Sequence, residues 1–129
     1  MPHRNDEAVG LCQNEQAALI SPKNEKENAD LFAAFTQLGV QLGAAIDGND
    51  SAQEGVWRYS NGDLMSYTNW REGQPNNYEG KEHLIQMWLL TPGSYEPSNG
   101  VWDDFSGEIT TDTVCQKPAM IYPISRKFQ

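Results

Sequence analysis

The sequence predicts a single α+β domain over residues 1–129, in which two helices pack on short antiparallel sheets that carry a long loop region. Helical patterns are confined to the part of the chain before Gly39, and after Gly43 the chain changes to short apolar runs separated by turn residues. Helices followed by strands, rather than alternating with them, are typical of α+β proteins. No repeat or linker divides the chain, and its length is enough for one core.

Two helices are predicted in the first part of the chain. The first covers residues 6–17, with Asn5 as its N-cap and acidic residues in its first turn. The second opens at Ser21-Pro22, because serine caps helices and proline suits the first helical position. Its apolar residues recur on one face, and Gly39 follows as a stop signal. That face consists of Leu31, Phe32, Phe35 and Leu38.

Short strands are predicted in the rest of the chain. Residues 56–59 and 64–67 flank Asn61-Gly62, and Asn-Gly is a strong hairpin signal. Residues 84–90 form an apolar run suited to a buried strand. Glycine, proline and asparagine without apolar periodicity predict a loop over residues 68–82, and a long loop inside a compact domain is usually functional or mobile. A further loop is predicted over 91–100, and the last strands over 113–115 and 119–122.

The charge of the chain excludes some classes of partner. Its 18 acidic and 9 basic residues give a net charge of −9. Nucleic acids and anionic membrane surfaces both need a basic face, so neither is an expected partner. No run approaches the roughly 18 apolar residues that span a bilayer. The first residues are polar and lack the apolar core of a secretory signal, so the protein is either cytosolic or has lost its signal. We favour a removed signal and a secreted, extracellular protein.

The two cysteines allow two interpretations. Cys12 and Cys115 lie near opposite ends of the chain, and their spacing fits no metal-ligand pattern. They are either two buried thiols or one disulfide that joins the ends. A disulfide closing so large a loop contributes about 4–5 kcal/mol in the chain-entropy model. Spacing alone does not decide between them.

Oxygen-bearing side chains are concentrated in two short segments and one residue between them. The segments are Gln74-Pro75-Asn76 and Trp102-Asp103-Asp104, with Glu82 between them. Hard cations such as Ca²⁺ take six to eight oxygens from carboxylates, amides and backbone carbonyls. The pattern therefore indicates a candidate calcium site. Each piece also has a plain structural interpretation, since Pro-Asn favours turns and paired aspartates can cap a strand in solvent.

The order of these elements resembles that of C-type lectin-like domains, most closely the collectin-type carbohydrate-recognition domains. The resemblance lies in an ordered set of segments that runs along nearly the whole chain. The set comprises Cys12-Gln13-Asn14-Glu15, residues 21–28, Trp57-Arg58-Tyr59-Ser60-Asn61-Gly62, Tyr67-Thr68-Asn69-Trp70, Gly73-Gln74-Pro75-Asn76-Asn77, Gly80-Lys81-Glu82-His83, Val101-Trp102-Asp103-Asp104 and Val114-Cys115-Gln116-Lys117. Any one segment is weak evidence, whereas the ordered set is specific.

The resemblance implies a disulfide pattern. Cys12 pairs with Cys115 as the outer bridge of the family, which favours an oxidising compartment. The inner bridge of the family is absent, because Leu84 stands where one of its cysteines would be. Packing of Leu84, Ile85 and Met87 is then expected to hold the base of the loop region. The leading strand of the family is expected to be missing or truncated.

The resemblance also implies a calcium site and a sugar site that share ligands. By position, the metal ligands are Gln74, Asn76, Glu82, Asp103 and Asp104, and the first four of these contact carbohydrate. Pro75 takes the place of the family's cis proline, which aims both neighbouring side chains at one point. An auxiliary calcium site, found in some relatives, is not expected, since Asn77 and His83 stand where acids would help.

The candidate ligands differ in detail from the mannose-type pattern Glu-Pro-Asn, Glu, Asn-Asp. Both sets contain three carboxylates, so attraction for Ca²⁺ is expected to survive. In the mannose type each coordinated hydroxyl meets one acid and one amide. Here Gln74 and Asn76 offer two amides, whereas Glu82 and Asp103 offer two carboxylates, which accept hydrogen bonds but donate none. The second hydroxyl lacks a donor, which predicts a weak or altered sugar preference.

Two functions follow as hypotheses. The first is a calcium-dependent lectin module that binds glycans or a glycoprotein and gains avidity by oligomerisation, for example as a homo-oligomer. The second is a lectin-like domain that binds a protein without sugar. An enzyme is not expected, because His3 and His83 are too few and too far apart for a catalytic triad or a zinc site. The tryptophans are expected in the core, while Tyr78 or Tyr95 could stack on a sugar.

Overall fold

The computed structural model describes residues 3–90, 98–118 and 120–124. Within them, two α-helices precede most of a set of short strands. The helices are α1 (Ala8–Asn14) and α2 (Glu25–Ala34). The strands are β1 (His3–Arg4), β2 (Ala18–Leu19), β3 (Gly43–Asn49), β4 (Glu82–Trp88), β5 (Trp102–Ser106), β6 (Thr110–Thr111), β7 (Val114–Lys117) and β8 (Met120–Pro123). The α+β class is confirmed.

The strands form three antiparallel sheets. Two of them have three strands, in the orders β3-β4-β5 and β2-β7-β8, and the third is the pair β1-β6. Among the described residues, β1 covers His3–Arg4 and pairs with β6. The sequence analysis did not identify β3. The segment 84–90 is a strand as expected, but β4 begins two residues earlier, at Glu82, and ends at Trp88.

The start of α1 differs from the prediction. Residues 5–7 form a 3₁₀ turn, and the α-helix runs only from Ala8 to Asn14. Asn5 is not its N-cap. The backbone N–H groups of Asn5 and Asp6 donate to the carbonyls of Ile109 and Gly107, at 2.9 and 3.1 Å. These bonds tie the segment to the turn before β6 and leave the helix to begin after it.

The start of α2 also differs from the prediction. Helix α2 begins at Glu25, and its N-cap is Asn24, whose side-chain oxygen accepts from the Glu27 N–H at 2.8 Å. Ser21 does not cap the helix. Its backbone N–H donates to Gln116 Oε1 at 3.0 Å, which holds the chain extended beside β7. The predicted apolar face is nevertheless correct, since Leu31 and Phe35 lie in the core.

The Asn-Gly turn is present, but its flanks are not regular strands. Arg58 bridges Leu64, and the Tyr59 N–H donates to the Asp63 carbonyl at 2.9 Å. Arg58 also bridges Asn49 at the end of β3, so this turn is attached to the three-stranded sheet. The predicted hairpin therefore exists as a bridged turn.

Two clusters of buried side chains stabilise the fold. The larger cluster packs α2 against the β3-β4-β5 sheet, and the smaller one surrounds the Cys12–Cys115 disulfide. The larger cluster consists of Ile20, Leu31, Phe35, Val40, Ala44, Ile46, Trp57, Ile85, Met87, Trp102 and Val114. The predicted outer bridge is thus confirmed. Ile85 and Met87 are fully buried at the base of the loop region, and no free cysteine is present in the chain.

A buried hydrogen-bond network connects α2 to the start of β5. Asn28 Oδ1 accepts from the indole N–H of Trp102 at 2.9 Å, and Asn28 Nδ2 donates to the Gly100 carbonyl at 3.0 Å. Trp102 is fully buried and meets Trp70 edge to face, with ring centroids 5.8 Å apart. These contacts fix the strand on which Asp103 and Asp104 lie. Within the residues described, no helix is long and apolar enough to cross a membrane.

Candidate functional site

Three of the candidate ligands lie on β4 and β5, and one of them, Asp104, binds the loop before β4. The antiparallel register sets Ile85 opposite Asp104 and Gln86 opposite Asp103. An irregularity between Glu82 and Leu84 lets the first residue of β4 diverge from the ladder. Both aspartates are buried, at 5% and 1% exposure. Buried carboxylates need partners, and each of them has one.

Asp104 holds the loop that follows Pro75. Its two carboxylate oxygens accept from the backbone N–H groups of Asn76 at 3.1 Å and Asn77 at 2.7 Å. The Gln74–Pro75 peptide bond is cis. Asp104 therefore anchors the predicted ligand loop through its backbone. The exposed Asn76 is placed by this backbone bond and not by a contact of its side chain.

Glu82 lies beside the two aspartates in a partly desolvated position. Its Oε1 accepts from the Tyr78 N–H at 3.1 Å, and its own N–H donates to Asn77 Oδ1 at 3.1 Å. Burial raises the pKa of Glu82, and the nearby charges of Asp104 and Asp103 raise that pKa further, while the Tyr78 N–H lowers it. The three carboxylates thus converge closely enough for their negative charges to interact.

Asp103 forms a bidentate ion pair that the sequence analysis missed. Arg71 Nε donates to Oδ1 at 2.9 Å, and Arg71 Nη2 donates to Oδ2 at 2.7 Å. The bonds to Asp103 raise the pKa of Arg71, so the guanidinium stays charged. Arg71 directly follows Trp70, and Asp103 directly follows Trp102. The proximity of each residue to a tryptophan is the one sequence signal that could have suggested their ion pair.

Gln74 carries an unsatisfied acceptor. Its Oε1 is inaccessible to solvent and has no hydrogen-bond partner in the described part of the chain. Its backbone N–H donates to the Arg71 carbonyl at 2.9 Å, which closes a turn over residues 71–74. A buried carbonyl oxygen without a donor is unfavourable unless something outside the protein occupies it. An amide oxygen together with carboxylates is the kind of donor set that Ca²⁺ prefers.

A second cluster of ionisable side chains lies beside the first. Ligand atoms of Asp50, Glu54 and His83 lie within 4.8 Å of one another. The fully buried Asp50 carboxylate also accepts from the Gly55 N–H at 2.9 Å. The sequence analysis placed His83 at an auxiliary position but did not find the two acids, because Asp50 lies 33 positions away from His83 in the chain.

His83 contacts Asp50 and the Gly80 carbonyl through its two ring nitrogens. Its Nδ1 lies 2.9 Å from Asp50 Oδ1, and its Nε2 lies 3.2 Å from the Gly80 carbonyl. The hydrogen bond with Asp50 raises the pKa of His83, and the Asp50 and Glu54 charges add to the effect against the opposing cost of burial. With acceptors on both ring nitrogens, the imidazolium form satisfies both contacts.

A family comparison decides what kind of domain this is. Residues 2–117 match the family described as the lectin C-type domain. The chain belongs to the C-type lectin domain family. Its α+β sheets, outer disulfide and cis-proline loop are the features that the sequence resemblance implied.

Individual relatives agree with membership of the C-type lectin domain family. Perlucin of Haliotis laevigata is 28% identical over 90% of this chain and 71% of its own length. Collectin-10 of Gallus gallus is 30% identical over 85% of this chain. The chain spans only 36% of collectin-10, so it corresponds to about a third of that protein. The C-type lectin CEL-I from Cucumaria echinata shares the fold, with a TM-score of 0.77 and 21% identity over 89% of this chain and 83% of that chain.

Proposed function

We propose that this C-type lectin domain binds carbohydrate through a calcium ion held by Gln74, Asn76, Glu82, Asp103 and Asp104. The observation that carries the proposal is the buried Oε1 of Gln74, which has no partner among the described residues and belongs to the loop that Asp104 anchors through the N–H groups of Asn76 and Asn77. A cation there satisfies that oxygen and relieves the repulsion that raises the pKa of Glu82. The donor set is all oxygen, as calcium requires.

Each residue of the proposed site has a distinct task. Glu82, Asp103 and Asp104 supply charge, Gln74 and Asn76 supply amide oxygens, and Asp104 also keeps the loop in place through two backbone bonds. When bound, calcium would supply positive charge and open positions for two neighbouring hydroxyls of a sugar. The four side chains that we propose to contact sugar are Gln74, Asn76, Glu82 and Asp103.

The sugar preference is proposed to be weak or altered relative to the mannose type. Gln74 and Asn76 place two amides on one side of the site, and Glu82 and Asp103 place two carboxylates on the other. Shallow single sites also bind weakly, because few contacts offset the cost of association. Avidity would then come from several copies, as a homo-oligomer or in a longer chain.

The binding partners and the location of the protein follow from the same proposal. The family is described as the lectin C-type domain and the structural relative CEL-I is named as a C-type lectin, so we propose glycans or a glycoprotein as partners. A disulfide between Cys12 and Cys115 favours an extracellular location. We do not propose an enzyme, nor binding to nucleic acid or membrane, since the net charge of −9 disfavours both of those surfaces. Exposed Tyr78 lies in the ligand loop, whereas Tyr95 lies outside the described residues.

A protein-binding domain without sugar is the second candidate. One observation favours it: two carboxylates already have cations of the protein itself. Arg71 pairs with Asp103 at 2.7 Å, and His83 pairs with Asp50 at 2.9 Å. Such pairs hold the loops in place without metal, so calcium would be dispensable for a protein contact.

Calcium titration with one matched pair of variants tests the proposal. Glu82→Gln keeps a carbonyl for the Tyr78 N–H but removes a charge, so calcium affinity is expected to fall at least about tenfold. Glu79→Gln makes the same chemical change on an exposed residue three positions away and is expected to bind calcium normally. Asp104→Ala is a poorer probe, because it also releases the N–H groups of Asn76 and Asn77.

A glycan array with calcium and with EDTA separates the two candidates. Retention of sugars that EDTA abolishes supports the lectin. Calcium binding without any retained glycan, or equal behaviour of the Glu82 and Glu79 variants, contradicts it. Capture of a protein partner that is insensitive to EDTA supports the second candidate.

A further inference from the structure

Two backbone hydrogen bonds attach Arg71 to the proposed site. Its backbone N–H donates to the Trp102 carbonyl at 2.8 Å, next to Asp103. Its own carbonyl accepts from the Gln74 N–H at 2.9 Å, so it begins the turn that carries Gln74. The guanidinium is therefore fixed relative to both a predicted carboxylate ligand and a predicted amide ligand.

The two edges of the Arg71 guanidinium have different surroundings. The Nε–Nη2 edge is used by Asp103, whose side chain is 7% exposed. The Arg71 side chain is 38% exposed, and Nη1 donates to no residue within the described ranges. A guanidinium has five N–H donors, so several remain directed away from Asp103. One edge thus binds the protein and the other is open to a ligand.

We propose that Arg71 is a specificity-determining residue that donates hydrogen bonds to bound saccharide, with Asp103 as its positioning partner. This inference rests on the proposed function. An asparagine at position 103 would offer an oxygen to a cation and an N–H to a hydroxyl from one side chain. The Arg71–Asp103 pair divides the same two tasks, since Asp103 keeps oxygen lone pairs and Arg71 supplies the N–H groups. The donor that the Glu82–Asp103 side lacks is therefore present in the folded protein.

The position of this donor narrows the class of saccharide. Arg71 Nη2 lies 2.7 Å from Asp103 Oδ2, whereas an asparagine amide nitrogen would occupy the position of a carboxylate oxygen itself. The donor is displaced from that position by about one hydrogen-bond length. It therefore suits a ligand oxygen that adjoins the coordinated pair of hydroxyls. The preferred ligand is a saccharide with a third acceptor oxygen next to a vicinal diol, either a hydroxyl or the oxygen of an acidic substituent.

A double-mutant cycle on Arg71 and Asp103 tests this inference. Glycans retained by the unchanged protein on an array with neutral and acidic saccharides are taken into calorimetry at saturating calcium. Arg71→Met is expected to weaken saccharide binding about tenfold, the value of one charge-assisted hydrogen bond. Adding Asp103→Asn to Arg71→Met is expected to restore binding to within about threefold, because asparagine performs both tasks. Arg71→Lys keeps the positive charge but lacks the planar set of N–H groups of the guanidinium. It therefore tests whether the geometry of these donors matters for saccharide binding.

Titration with calcium alone separates ligand contact from a structural role. Removing a positive charge beside the site is expected to leave calcium affinity equal or higher in Arg71→Met. Loss of saccharide with calcium retained supports the inference. Unchanged saccharide affinity in Arg71→Met overturns it, as does parallel loss of calcium and saccharide, which would assign Arg71 to holding Asp103 only. If the unchanged protein binds calcium but no glycan, the sugar-binding proposal itself fails, and this inference fails with it.

The neutral and the acidic saccharides on the array distinguish two kinds of acceptor oxygen, a hydroxyl and an acidic substituent. A larger effect of Arg71→Met on sulfated or uronate-bearing saccharides indicates that an acidic substituent accepts from Arg71. An equal effect on neutral saccharides indicates a hydroxyl. Either result supports the inference, provided that the effect disappears in the Asp103→Asn background.

Discussion

At the scale of single residues, each carboxylate of the candidate site has a partner within the protein. Asp104 accepts from two backbone N–H groups, Glu82 accepts from one, and Asp103 binds Arg71. These contacts keep the acidic groups in place despite their mutual repulsion. The side-chain oxygen of Gln74 has no such partner among the described residues. It is therefore the most sensitive position for testing metal binding.

Gln74→Glu is expected to strengthen calcium binding and to weaken the metal-free fold. The new carboxylate occupies a buried position without a hydrogen-bond donor among the described residues, which destabilises the protein when no cation is bound. With calcium, a fourth carboxylate raises affinity by about tenfold. Thermal unfolding in EDTA and in calcium measures both effects. An unchanged difference between the two melting temperatures would show that Gln74 does not face the cation.

His83 is expected to make stability depend on pH. Its hydrogen bond with Asp50 raises its pKa in the folded protein above the ordinary value of 6.5. The stabilisation is therefore fully present below pH 6.5 and is lost as the pH rises through the higher folded pKa. Urea denaturation from pH 5.5 to 9 is expected to show this decline. His83→Gln should remove it, and a decline that persists in the variant would assign it to another group.

The sequence pattern predicts the candidate ligands, but it does not predict their partners within the protein. Gln74, Glu82 and Asp104 belong to short segments whose order resembles a known family. Arg71 pairs with a residue 32 positions away, and no local pattern announces such a contact. The same holds for Asp50, which reaches His83 across 33 positions. Contacts of this kind depend on strand register, which single-sequence patterns do not specify.

At the scale of elements, tertiary bonds decided where helices and strands begin. Both Ser21 and Asn24 are good capping residues, and the chain offers them only three positions apart. The bond from the Ser21 N–H to Gln116 keeps that part extended, so Asn24 caps α2 instead. Strand β3 was not predicted, because its sequence Gly-Ala-Ala-Ile-Asp-Gly-Asn is poor in β-forming residues. Pairing with β4 makes it a strand.

A comparison of two capping residues tests the boundary of α2. Asn24→Ala removes the oxygen that accepts from the Glu27 N–H and is expected to cost about 1 kcal/mol of unfolding free energy. Ser21→Ala removes only a contact with the Lys23 ammonium, 3.1 Å away, and is expected to cost less than about 0.5 kcal/mol. Urea denaturation measures both. A larger loss for Ser21→Ala would mean that the helix begins where the sequence alone suggested.

At the scale of the whole molecule, one covalent bond supplements the two buried clusters. The Cys12–Cys115 disulfide joins residues 103 positions apart and connects α1 to β7. The base of the candidate site has no such bond. There, buried Ile85 and Met87 belong to the larger cluster as the sequence analysis expected, whereas Leu84 is only half-buried and is not part of it.

Replacement of both cysteines is expected to destabilise the molecule strongly. Cys12→Ala with Cys115→Ala frees a loop whose closure contributes about 4–5 kcal/mol in the chain-entropy model. Domains of this size have only about 5–15 kcal/mol of stability, so the variant should be marginal. Urea denaturation of the double variant and the unchanged protein measures the difference. A loss below about 1 kcal/mol would mean that packing alone holds the two ends together.

The fully buried Trp102 gives the protein a built-in optical signal. It immediately precedes Asp103, and its edge-to-face neighbour Trp70 immediately precedes Arg71. Any ligand that moves the Arg71–Asp103 pair would disturb the electric field around two indoles. The intrinsic ultraviolet emission of the unlabelled protein can therefore report occupancy in real time, and stopped-flow mixing could resolve how fast a cation or a saccharide arrives.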